Sequence, residues 1–187
     1  GHPEGVVSLD QSPADRVRAF ADAKGCAPEA VAVCILERPR HEALIEEVRA
    51  TGAAVRLITD GDVAGVMHCA EPETTGIDMY MGLGGAPEGV LAAAALKCMG
   101  GQIQGRLVFR NQEEVERARR VEVEDIDGLY TRDEMCREHV IFAATGVTDG
   151  SILRGARRIG EFLETETVLM RSRTGSVRRM TYRTRNF

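Results

Sequence analysis

The chain has 187 residues, 43% of them hydrophobic and 28% charged, with a net charge of −5 at pH 7 and a sequence pI of about 5.5. A chain of this size buries one substantial core, and the absence of an apolar run near ~18 residues speaks against a membrane span. The acidic balance provides no global field for nucleic acid, and the five scattered cysteines, with no C-x-x-C pair, read as reduced thiols of a soluble, cytoplasmic protein rather than a zinc site.

In chain order, Val6-Val7-Ser8-Leu9 predicts a short β-like run. Ser12-Pro13-Ala14-Asp15 then offers a cap, a first-turn proline and a first-turn acid, so a helix is expected from Pro13 to Lys24, stopped by Gly25. Ala30 to Leu36 is apolar on both faces, as strands of parallel sheets tend to be. A helix from His41 to Ala50 and a strand from Ala54 to Ile58 complete one βαβ unit. Val63 to Met67 predicts a small-residue helix, Glu71 to Gly76 a loop, and Ile77 to Met81 a strand.

Gly82-Leu83-Gly84-Gly85-Ala86-Pro87-Glu88-Gly89 is a glycine-dense loop that runs into an apolar helix ending at Met99, with Gly100-Gly101 as its stop. Such a helix start presents unpaired N–H groups and the positive end of the helix dipole, which suits a phosphate. Glu88 sits in that first turn and repels a phosphate unless a cation lies between them. Farther on, Gln102 to Phe109 predicts a strand, Asn111 to Arg120 a solvated charge-dense helix, and Thr131 to Met135 a short capped helix. His139 to Ala144 reads as another two-sided apolar strand. The stretches from Glu166 to Arg173 and from Val177 to Tyr182 read as an Arg-rich hairpin turning at Thr174-Gly175-Ser176, a solvated edge or subunit contact rather than a nucleic-acid surface.

Four strands thus end in loops loaded with Arg, Asp or Gly, and these loops are expected to share one rim, where open α/β sheets bind ligands. Arg38 and Arg40 match phosphate geometry, with Pro39 stiffening the link between them. Asp60 and Asp62, flanking Gly61, suit sugar hydroxyls or a metal. His41, at a helix start, reads as a packing or capping residue. No Ser/His/Asp or Cys/His set is identifiable from spacing, so no catalytic residue is assigned in this chain.

These segments resemble the class II fructose-1,6-bisphosphatases, some of which also hydrolyse sedoheptulose 1,7-bisphosphate. The resemblance rests on five ordered blocks: Glu37 to His41, Ile58 to Gly65, Gly84 to Ala94, Phe142 to Gly150 and Met170 to Gly175. The family usually carries Asp where this chain has Glu37. The resemblance implies an α/β, layered sugar-phosphatase-like fold of the kind shared with inositol monophosphatases. Residues 1–187 would form its second α/β half as a single domain, with a mostly parallel mixed sheet flanked by helices and a C-terminal hairpin. It also implies that Arg38, Pro39, Arg40, Asp60, Gly61, Asp62 and Gly85 contact the sugar bisphosphate and that Glu88 ligates Mg²⁺ or Mn²⁺. The family's amino-terminal region, with most of its metal-binding acids, has no counterpart here, so this chain alone is expected to be inactive. A homo-oligomer is expected, with no nucleic-acid or membrane partner. The alternative is a non-catalytic sugar-phosphate-binding or assembly module.

Overall fold

The computed structural model describes residues 5–121, 123 and 125–185. The first helix, α1 (Pro13–Lys24), is punctuated as its sequence requires: the Ser12 hydroxyl accepts from the Asp15 N–H at 3.1 Å, and Gly25 closes it at φ 71°. After it come β1 (Ala32–Leu36), a tight turn over Pro39–His41, α2 (Glu42–Arg49) and β2 (Ala54–Ile58). Then follow α3 (Asp62–His68), α4 (Pro72–Thr75), β3 (Met79–Tyr80) and α5 (Ala86–Met99).

These elements build a three-stranded parallel sheet of order β2-β1-β3, with Leu36 opposite Ile58 and Cys34 opposite Tyr80. The central strand is covered on both faces, which is why β1 is apolar throughout. On one face Val33 and Ile35 pack with Val17 and Ala21 of α1 and Ile45 and Val48 of α2. α3 lies close against the other: a Cβ on Gly65 would stand 2.9 Å from Ile58 Cδ1 and 3.1 Å from Tyr80 Cε2.

The remaining elements are β4 (Gln104–Arg106), α6 (Gln112–Arg120), β5 (Leu129–Thr131), α7 (Arg132–Met135), β6 (Ile141–Thr145), β7 (Arg157–Ile159), β8 (Phe162–Arg171) and β9 (Ser176–Arg185). β4 and β5 form a small antiparallel pair. β6, β7 and β9 all pair antiparallel with β8 in a second sheet. α5 joins the two halves. Its Ala92 and Leu96 pack with Val66 of α3, while Ala95 and Cys98 pack with Val168 and Met170 of β8. The protein is therefore an α/β fold whose parallel sheet is flanked by helices and whose carboxyl-terminal strands are antiparallel.

Several local expectations differ from the structure. Val6 to Leu9 forms bends rather than a strand, because it meets a side chain instead of a sheet edge: Gln104 accepts from the Leu9 N–H at 3.1 Å and donates to the Val7 carbonyl at 3.1 Å. Pro72–Thr75 is a short helix within the expected loop, closed by Gly76 at φ 67°. Only Gln104–Arg106 of the stretch 102–109 pairs as strand. β6 alternates exposed and half-buried residues, because only one of its faces packs on α5.

Candidate functional site

The carboxyl ends of the three parallel strands lie side by side. The Glu37 N–H donates to the Ile58 carbonyl at 2.8 Å, and on the other edge the Met81 N–H donates to the Cys34 carbonyl at 3.1 Å. Three loops consequently start from one rim: Arg38-Pro39-Arg40 after β1, Asp60-Gly61-Asp62 after β2, and Gly82 to Gly85 after β3. The fourth expected loop, Gly146 to Gly150, follows a strand of the other sheet. Ser151, just beyond it, meets His68 at the carboxyl end of α3, whereas Asp62 opens that helix on the rim.

The loops are cross-braced by side chains. Arg40 donates through Nε and Nη2 to the Leu83 carbonyl at 3.0 and 2.8 Å, so its guanidinium is anchored on the glycine loop while its remaining N–H groups stay available. Arg38 donates through Nη1 to the Glu37 carbonyl at 2.7 Å and stays with its own loop. His41 is buried. Its Nδ1 donates to the Leu36 carbonyl at 2.6 Å, and its Nε2 accepts from the Leu83 N–H at 2.8 Å.

Asp62 opens α3 behind Gly61, whose φ of 74° suits glycine. Asp62 Oδ1 accepts from the Val63 N–H at 3.0 Å. Its Oδ2 would lie 3.1 Å from a Cβ on Gly84. Glu88 stands in the first turn of α5 and folds back over Gly85, where an added Cβ would collide with its Oε2. Gly85 caps α5 and offers no side chain to its first-turn N–H groups, which Ala86 and Glu88 supply since Pro87 has none. Asp60 is exposed at the end of β2. Tyr80 reaches the same place from β3, and burial, reinforced by Asp62, pushes its phenol up to about 12, so it remains a neutral donor.

Of the residues singled out from sequence, Arg40, Asp62, Gly85 and Glu88 converge on the glycine loop, while Arg38, Pro39, Asp60 and Gly61 line the adjoining strand ends. The sequence reading missed Tyr80 and the two-sided hold on Leu83. An aromatic at the end of a strand feeding this loop was the available signal for Tyr80; nothing local signalled the hold. A resident divalent cation is not held by the described residues themselves. Among them no group of three or more His, Cys, Asp or Glu is arranged around a point, and Asp62 and Glu88 do not enclose a cation that takes about six oxygens.

The family model "Bacterial fructose-1,6-bisphosphatase, glpX-encoded" matches residues 2–184. A Synechocystis protein named D-fructose 1,6-bisphosphatase class 2/sedoheptulose 1,7-bisphosphatase is 35% identical over 94% of this chain and 54% of its own length. A Synechococcus protein of the same name is 37% identical over 94% and 54%. The fructose-1,6-bisphosphatase class 2 of Haemophilus influenzae is 34% identical over 95% and 57%. The chain spans about half the length of these relatives. With a family match across almost all of its residues, the chain belongs to the glpX-encoded bacterial fructose-1,6-bisphosphatases.

Proposed function

We propose that this chain supplies the substrate loops of a class II fructose-1,6-bisphosphatase, which hydrolyses the 1-phosphate of fructose 1,6-bisphosphate in gluconeogenic or Calvin-type sugar-phosphate metabolism. The observation that carries this reading is the convergence of Arg40, Asp62 and Glu88 on one uncapped glycine loop. Guanidinium forks and helix amides suit phosphate oxygens, and carboxylates accept from sugar hydroxyls. Arg38, Pro39, Arg40, Asp60, Gly61, Asp62 and Gly85 are the proposed substrate contacts. Glu88 is the proposed single ligand that this chain gives to Mg²⁺ or Mn²⁺; such a cation supplies charge neutralisation and water activation when bound. The five free thiols support a reducing, cytoplasmic setting, and the exposed Met180 and Tyr182 of β9 support a homo-oligomer.

Titrating the ¹⁵N-labelled chain with fructose 1,6-bisphosphate tests the binding reading. The Gly84 and Gly85 amide resonances should move, and fructose should leave them in place. Amides that ignore the bisphosphate at millimolar concentration overturn it. The incomplete metal-donor set among the described residues favours a second reading, a non-catalytic sugar-phosphate-binding or assembly module. Adding in trans the part of the Haemophilus influenzae relative that this chain does not match separates the two: phosphate release supports the enzyme, and binding without turnover supports the module.

A further inference from the structure

We propose that His41 is a positioning residue, an imidazole clamp that fixes the glycine loop on the end of β1; the inference rests on the substrate-loop reading above. Both hydrogen-bond partners of the ring are backbone groups of fixed polarity. The Leu36 carbonyl can only accept, so Nδ1 carries the proton; the Leu83 N–H can only donate, so Nε2 holds the lone pair. The ring is therefore a single neutral tautomer with both nitrogens engaged, and it bridges the last residue of β1 to Leu83, 42 residues beyond His41 itself.

Arg40, the preceding residue, holds the carbonyl of the same Leu83. Consecutive residues thus grip both polar groups of one residue and set the path of the chain as it enters Gly84-Gly85. The hold is on the Leu83 backbone, and its side chain is 44% exposed. The loop lies tight on the ring: a Cβ on Gly82 would come within 3.3 Å of His41 Cε1 and 3.4 Å of Tyr80 Oη. The hydrogen bonds of the His41 ring go to Leu36 and Leu83, neither of them a proposed substrate contact, so its effect on ligand runs through the loop.

The test compares wild type with H41F, which keeps a buried ring and deletes both bonds, and with H41Q, whose carboxamide retains one donor and one acceptor. Long-range ¹H–¹⁵N spectra of the wild-type ring should show the Nδ1–H neutral tautomer. In H41F, hydrogen exchange at the Leu83 amide should quicken at least tenfold, while amides of α1 and β1 keep their protection. Fructose 1,6-bisphosphate should bind H41F at least tenfold more weakly than wild type, and H41Q should recover part of both losses. An unchanged Leu83 exchange rate in H41F, or the Nε2–H tautomer in wild type, overturns the clamp. Should H41F lose protection throughout, the tautomer and the Leu83 exchange rate in H41Q decide. If wild type ignores the bisphosphate while Leu83 behaves as described, the substrate reading fails and the clamp stands.

Discussion

Arg40 shows how a residue type acquires its meaning from geometry. A guanidinium beside a phosphate loop suggests a direct anion contact, yet two of its N–H groups meet the Leu83 carbonyl, and only the others are left to face a ligand. A lysine has no planar fork and cannot hold the carbonyl through two nitrogens while also presenting donors outward. R40K should therefore weaken fructose 1,6-bisphosphate about tenfold, or about 1.4 kcal/mol, measured by calorimetric titration. Because Arg40 is exposed, its melting temperature should stay within about 1 °C of wild type. The start of α5 after the glycine loop and its first-turn acid Glu88 were legible from sequence because they depend on neighbours within a few residues. The hold on Leu83 was not, since Arg40 and His41 reach it across 43 and 42 residues, a separation that periodicity does not encode.

The antiparallel sheet depends on two contacts that its sequence hides. Gly146 follows β6 where the chain crosses the Arg154 backbone; an added Cβ would collide with the Arg154 carbonyl oxygen and stand 2.8 Å from its carbon. A Cβ on Gly155 would likewise stand 2.6 Å from the Thr148 carbonyl carbon. Backbone cannot rotate aside as a side chain can, so G146A should destabilise by about 2–3 kcal/mol or more in urea unfolding, with G155A similar. The second contact is Glu164 of β8, buried between Arg157 of β7 and Arg183 of β9. Hydrogen bonds from Arg157 and then Arg183 hold its carboxyl below the ordinary value of 4.5. A carboxylate depressed in the folded state stabilises above its ordinary value, and that contribution fades as the pH falls below 4.5 through the folded value. E164Q should consequently melt several degrees lower at pH 7, and the gap to wild type should close as the pH drops below 4.5 in a series of thermal scans. β7 escaped the sequence reading because Arg157-Arg158-Ile159 shows no apolar alternation; the Glu164 pairing and the ladder to β8 place it there. β8 and β9 were legible as a hairpin, since their turn carries Gly175 at φ 60° between two β-rich runs.

In the whole molecule, α5 ties the glycine loop to the core. Its amino end receives the glycine loop, and its middle and carboxyl end bury Ala92, Ala95, Leu96 and Cys98 between α3 and the antiparallel sheet. The loop therefore hangs on a helix anchored in two core clusters, which suits a site that must keep its amides in place. Metal-assisted phosphoryl transfer demands more than placement: several oxygens must surround the cation, and a water must be held for attack. Glu88 and Asp62 are two acids at the loop, Asp62 already accepts from the Val63 amide, and the described residues bring no third metal-binding side chain to them. In the proposed reading the substrate loops and the cation shell are therefore separable, and the described residues would supply the former. The purified 187-residue chain should bind fructose 1,6-bisphosphate weakly and release phosphate at the uncatalysed background rate in Mg²⁺ or Mn²⁺, as followed by a colorimetric phosphate assay. Turnover well above that background, abolished by EDTA and by E88Q, would show instead that these residues complete a metal site by themselves.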